Sequence, residues 1–207
     1  MVSAMVLAVG ATIAPQRTWS NLLIVGFYLV TLGLGGALFI ALTYVSNASW
    51  NVGFRRVPEA LAVLLAPVGI GLLAVLALGR EHYAWHSHGT SGAGTFWFKE
   101  MWCNSTFWIG RGVVYVALWI LLSRALVTVS RRQDKTGTLG LTIANKRLSA
   151  LFLFVYAVTF SLASCDWLML LEPLWFSSIW GVYNFAGMVQ AVLATMIVLT
   201  LVLRSRG

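Results

Sequence analysis

The stretch Ala163–Gly187, ASCDWLMLLEPLWFSSIWGVYNFAG, lies between two long apolar runs. It holds Asp166 and Glu172, two of the six acidic residues in the chain, and Trp167, Trp175 and Trp180 of its ten tryptophans. Pro173 disfavours helix at Glu172 and ends the preceding helix there. A carboxylate at the last turn of an apolar run is costly in lipid unless it is paired or hydrated. For Glu172 an interfacial loop is the simple reading, with the acid in water and the tryptophans at headgroup level. Asp166 differs. It lies inside the apolar run, which points to a functional or helix-pairing role.

Working outward, the same pattern recurs. The chain has 207 residues, 59% of them hydrophobic and only 10% charged, with a mean hydropathy of +0.85. Runs of about 18 or more apolar residues repeat, each long enough to cross a bilayer core of about 30 Å. Only helices and closed barrels satisfy their backbone in lipid, and continuous apolar runs exclude the alternating pattern of a barrel. The sequence therefore predicts an all-α, polytopic transmembrane bundle. Its spans cover about 21–46, 60–79, 105–129, 148–171 and 179–203, after an N-terminal tail or partial apolar segment over 1–20.

The first span places Gly33, Ala37 and Ala41 on one face, where another helix can come close. The fifth repeats the spacing with Gly187, Ala191 and Thr195. Pro67 near the middle of the second span removes a backbone donor and predicts a kink.

Net charge is +8. No basic stripe or nucleic-acid motif accompanies it, so nucleic acid is not an expected partner. Membrane topology explains the charge more simply. The loops after spans one, three and five carry Arg55, Arg56, Arg124, Arg131, Arg132, Lys135, Lys146, Arg147, Arg204 and Arg206, whereas the other side has only Arg17, Arg80, Lys99 and Arg111. The positive-inside rule then puts the C-terminus in the cytoplasm and the N-terminus outside. Trp19, Trp85, Trp97, Trp102, Trp108, Trp167, Trp175 and Trp180 fall on the outer side, as an aromatic belt would.

Cys103 and Cys165 are too few for a disulfide framework, and no CxxC or CxxCH occurs, so covalent c-type haem and cysteine-bound iron–sulfur clusters have no support in this chain. The loop Arg80–Asn104 holds His82, His86 and His88. His82 and His86 are four apart and would share a helix face as metal ligands can, but no third ligand has a recognisable position, and hydrated loop histidines are the simpler reading.

Arg111 and Asp166 form the sharpest pairing. Arg111 lies in the third span and Asp166 in the fourth, which run in opposite directions. Counted from Val127 and from Leu148, they stand about 24 and 27 Å along their helices at about 1.5 Å per residue. An unpaired charge at the bilayer centre costs roughly 3 kcal/mol on insertion scales. Pairing would offset much of that and keep both groups ionised. Two readings stay open. One is an ion pair that locks two helices. The other is a proton-exchanging Asp166 at the outer mouth of a polar path, with Glu172 next towards water and Arg111 setting its pKa.

The stretch Asp166-Trp167-Leu168-Met169, then Leu171-Glu172-Pro173-Leu174-Trp175-Phe176-Ser177, Gly181-Val182-Tyr183 and Phe185-Ala186-Gly187, resembles a signature of the F-type integral membrane subunit of alternative complex III. That complex is the bacterial quinol:cytochrome c, or quinol:electron acceptor, oxidoreductase, and the subunit is related to polysulfide-reductase-type membrane subunits. The resemblance extends to Gly35-Gly36-Ala37-Leu38-Phe39, Ala48-Ser49-Trp50, Arg55-Arg56-Val57-Pro58-Glu59 and Gln133-Asp134. Members of the family carry further helices after the signature, so this chain reads as a shortened form or as the front part of a larger subunit. The resemblance implies a non-haem subunit of a respiratory complex, with no cofactor of its own and quinone as a candidate ligand. It implies partners in a related membrane subunit, an iron–sulfur subunit and a multihaem cytochrome c, which hold the haem c and the iron–sulfur clusters. The F-type subunit supports assembly and is a candidate for proton conduction. An independent proton-coupled transporter and a scaffold without chemistry are the competing readings; against the transporter, no internal repeat is evident.

Overall fold

A computed structural model describes residues 9–48, 50–87, 101–172 and 175–206. The readings that rest on residues 1–8, Ser49, His88, Trp97, Lys99, Glu100, Pro173 and Leu174 fall outside these. Among the described residues there is no strand. Five long helices, α1 (Pro15–Val45), α2 (Arg56–Leu78), α3 (Ser105–Thr136), α4 (Leu139–Trp167) and α5 (Trp180–Arg206), form the bundle. Each is long and apolar enough to cross a membrane. The chain is a multi-pass helical membrane protein.

The helices run past the apolar spans at several ends. α1 starts at Pro15, where the ring fixes φ for a first turn and its missing N–H costs nothing. It closes at Ser46, followed by Asn47 with φ 55°, a left-handed position that Asn tolerates. The expected basic loop Ser130–Arg147 shrinks to a turn. α3 continues through Arg131, Arg132 and Lys135 to Thr136, Gly137 takes φ 65°, and α4 begins at Leu139. Hydropathy marks where lipid ends, whereas Arg, Gln and Lys are good helix formers and carry the helix beyond it. α3 opens on Asn104, whose side chain accepts from the backbone N–H of Thr106 at 3.1 Å and Phe107 at 3.3 Å. α2 passes through Pro67 as one helix, and Pro67 is exposed on the outside of the bundle.

α1 is the central helix. Of its most apolar stretch 61% is buried, against 17% for α5, which therefore lies at the edge. The small-residue face of α1 meets α2. A Cβ on Gly33 would stand 3.0 Å from Leu65 Cα, and one on Gly36 2.6 Å from the Pro58 carbonyl oxygen. Ala37 and Ala41 are fully buried. The matching face of α5 behaves differently: Gly187 is exposed and has nothing within 4 Å of its Cβ position.

The bundle has two unlike ends. At one, the C-termini of α1 and α3 meet the N-termini of α2 and α4 with most of the arginines; we call it the basic end. At the other, the tryptophan end, half of the expected belt turns inward: Trp19, Trp85, Trp108 and Trp167 are buried, whereas Trp175 is exposed. For Trp19 and Trp108 the N–H groups explain it, and the half-buried Trp180 follows them. Trp19 Nε1 donates to the Val75 carbonyl at 3.0 Å, Trp108 Nε1 to the Asp166 carbonyl at 3.0 Å and Trp180 Nε1 to the Ser164 carbonyl at 3.1 Å. These carbonyls belong to the last turns of α2 and α4, where acceptors lack a full set of intrahelical partners. Indoles satisfy them and fill the space between helices.

Candidate functional site

At the tryptophan end, α3 and α4 bring Arg111 and Asp166 face to face. Both residues are buried, at 9% and 2% exposure. Arg111 Nη2 lies 2.9 Å from Asp166 Oδ1 and Arg111 Nε 3.1 Å from Oδ2, a bidentate pair. Trp102 Nε1 donates to Oδ1 at 2.7 Å and the Tyr115 hydroxyl to Oδ2 at 3.4 Å. The carboxylate thus accepts four hydrogen bonds. On the other side, Arg111 Nη1 donates to the Trp102 carbonyl at 2.9 Å, and the guanidinium carbon stands 3.8 Å over the Trp102 ring and 4.7 Å from the Phe107 ring. Aromatic faces stabilise a cation that lipid would not.

The end of α4 is held just as closely. The Tyr83 hydroxyl donates to the Trp167 carbonyl at 2.7 Å. Tyr83 is fully buried, its ring 4.9 Å from that of Trp108. Burial, and then the nearby charge of Asp166, push its phenol well above the ordinary tyrosine range. Glu172 stands apart. It is exposed at the bend after α4, and among the described residues no hydrogen bond or ion pair reaches its side chain.

His82 and His86 do not share a helix face. His82 ends a 3-10 turn, Arg80–His82, and His86 sits in a separate short helical segment, Ala84–Ser87. His82 packs on Trp19, ring centres 5.0 Å apart, whereas His86 is exposed. No three of the described His, Cys, Asp and Glu side chains gather as metal ligands would. Cys103 is buried, and Cys165 is a half-buried thiol outside any disulfide.

A second charged cluster, at the basic end, is one that sequence reasoning placed in a loop. Glu59 lies in the first turn of α2 with 0% exposure. Arg56 Nη1 is 2.5 Å from Oε2, Arg131 Nε 3.8 Å from Oε2 and Arg55 Nε 3.7 Å from Oε1. Ser130 Oγ donates to Oε1 at 2.5 Å. Arg55 and Arg56 also both pair with Asp134 on α3. Arg55 Nη1 donates to the Tyr44 hydroxyl at 3.2 Å, and that hydroxyl to Gln133 Oε1 at 3.3 Å. The one signal in the sequence was the spacing of Arg55 and Arg56, four and three residues before Glu59, as on one helix face.

Between the two clusters α3 and α4 carry buried polar groups. Trp119 Nε1 donates to Thr159 Oγ1 at 2.8 Å. The Ser123 and Ser149 hydroxyls and both amide atoms of Asn145 are buried with no partner among the described residues. Beside Arg111 opens a cavity of about 590 Å³ lined by Trp102, Asn104, Phe107, Gly110, Tyr115 and Leu162 among others. Its walls are aromatic and apolar, and the polar side chains among them, Arg111, Tyr115, Asn104 and Thr106, turn almost no polar surface into it. This is a setting for an apolar, ring-shaped molecule.

Neither the known protein-family models nor the curated proteins give a match to this chain.

Proposed function

We propose that this chain is a membrane subunit of a respiratory quinol-oxidising complex of the alternative complex III type. The observation that carries the reading is where the resembling stretches fall. Arg55-Arg56-Val57-Pro58-Glu59 and Gln133-Asp134, remote in sequence, form one charge cluster through Asp134 and Glu59. Asp166-Trp167 forms the other. Later in the long signature Phe176, Val182 and Tyr183 face outward, at 85%, 65% and 68% exposure. Motif residues that either lock the bundle or line its outer surface fit a subunit that docks against partner helices. In this reading redox chemistry resides in the partners, which hold haem c and iron–sulfur clusters, and the basic end faces the cytoplasm.

Proton conduction is the second element of the reading, and one observation favours it. Buried hydroxyl and amide groups at Ser123, Asn145 and Ser149 have no partner among the described residues. Polar atoms in that state call for bound water, and water between two ionised clusters is the material of a proton path. The cavity beside Arg111 supports quinone as a ligand.

Purification in mild detergent tests the assignment. Copurifying multihaem cytochrome c, seen in haem spectra and by subunit identification, is the expected result; a chain that purifies alone and transports protons in liposomes points to an independent transporter. Reporter fusions at Gly207 and within residues 89–94 should report opposite sides of the membrane, and agreement between them would sink the topology. For protons, Asn145→Leu should leave the complex assembled while proton yield per turnover falls. An unchanged yield removes conduction through this row.

A further inference from the structure

A second cavity, of about 280 Å³, opens at the basic end. Thr43, Tyr44, Asn47 and Asn51 line it from the end of α1 and the following turn, and Arg55, Gln133, Thr142 and Lys146 from the starts of α2 and α4 and the end of α3. Nearly every one of these can donate a hydrogen bond. Its two cations differ in their partners. Arg55 is engaged by Asp134, by Tyr44 and, at longer range, by Glu59. Lys146 is half-buried and makes no hydrogen bond or ion pair with any described residue. In the surrounding cluster Arg55, Arg56, Arg131 and Lys146 face only Glu59 and Asp134 as carboxylates. Thr43, Tyr44 and Gln133 already donate within the protein, so the cavity is left with an excess of positive charge, a half-buried ammonium and the neutral donors of Asn47, Asn51 and Thr142. That set of groups takes an oxyanion.

The level of the cavity narrows the choice. Trp50, at 67% exposure, lies just past Asn47 and clusters with Phe39 and Phe54. Leu139 and Ile143, at 81% and 54%, are exposed beside Thr142. Outward-facing Trp and aliphatic residues next to a basic pocket mark the boundary between acyl chains and headgroups. We infer that the cavity of Lys146 and Arg55 is a phosphate site, filled by the headgroup phosphodiester of an anionic membrane lipid. The exposed Leu139 and Ile143 would then flank the acyl chains.

The test uses the full chain, purified with its partners in neutral detergent. Phosphatidylglycerol, phosphatidylcholine and inorganic phosphate are titrated separately, read by thermal unfolding and by lipid retention in native mass spectrometry. Phosphatidylglycerol should be retained and should raise the unfolding temperature more than phosphatidylcholine does. Lys146→Gln should weaken retention about tenfold, the scale of one charge-assisted hydrogen bond. Asn47→Gly should also weaken it, since Gly keeps the left-handed backbone and removes only the amide. Arg147→Gln, exposed and off the cavity, should leave retention unchanged. Stabilisation by inorganic phosphate with no response to either lipid upholds the phosphate site and overturns its assignment to a lipid headgroup. Equal weakening by Lys146→Gln and Arg147→Gln, or equal stabilisation by the two lipids, overturns the proposal.

Discussion

Arg111 and Asp166, 55 residues apart in sequence, close a two-point ion pair between α3 and α4, with Nη2–Oδ1 at 2.9 Å and Nε–Oδ2 at 3.1 Å. Every lone-pair direction of the carboxylate that matters is in use, since Trp102 and Tyr115 also donate to it. Removing one partner strands a charge among apolar walls. Arg111→Gln or Asp166→Asn alone should destabilise the bundle by about 3–5 kcal/mol. The double variant should recover a large part of that, because no charge is then left unpaired. Thermal unfolding in detergent and membrane accumulation measure both. Should Asp166→Asn accumulate normally while turnover falls, the carboxylate serves proton exchange rather than the lock.

Tyr83 gives a pH signature. Its phenol is buried and its pKa is raised from the ordinary value of 10.0. The unfolded chain therefore loses this proton first as pH rises. The stabilisation from Tyr83 is complete below about pH 10 and is lost as pH climbs from there towards the folded-state value. At neutral pH, Tyr83→Phe should cost about 1 kcal/mol through the lost bond to the Trp167 carbonyl. The gap between the two proteins should narrow above about pH 10. A gap that stays constant with pH would show that the phenol does not contribute in this way.

The two carboxylates at the basic end should behave unequally. Glu59 is fully buried under Arg56 and Ser130, whereas the Asp134 side chain is 32% exposed. Glu59→Leu takes the acceptor from the fully buried Ser130 hydroxyl and one of two carboxylates from the Arg55 side chain, which is 16% exposed, and should cost about 1–3 kcal/mol. Asp134→Asn acts on pairs that water screens and should cost about 1 kcal/mol or less. Unfolding temperatures of the two variants in the same detergent decide it, and equal losses would contradict the burial argument.

The small residues of α1 and α5 give a paired contrast. A Cβ at Gly36 meets the Pro58 carbonyl oxygen at 2.6 Å and Leu61 Cβ at 2.8 Å, so α1 and α2 must separate. Gly36→Ala should cost about 1–3 kcal/mol. Gly187→Ala meets nothing within 4 Å. It should be neutral or gain up to about 1 kcal/mol from helix propensity. A loss at Gly187 seen only in the assembled complex would mean that a partner helix packs there.

Much of this protein was legible in the residues. The number of spans follows from apolar runs measured against a fixed bilayer thickness. The Arg111–Asp166 pairing follows from a fixed rise per residue, which turns sequence position into depth. The close face of α1 follows from Gly33, Ala37 and Ala41 recurring every four residues. The rest required the tertiary structure, and one physical reason accounts for it. In a membrane the lipid is as apolar as the protein core, so hydropathy does not say which way a helix is turned about its axis. That rotation buries Trp19, Trp108 and Trp167 rather than setting them at the headgroups, and packs Gly36 while leaving Gly187 bare. At the basic end, the packing of α2 on α3 sets Ser130 and Asp134 against Glu59, Arg55 and Arg56. Those partners lie more than 70 residues from Glu59 and the two arginines, and only the way the helices pack joins them.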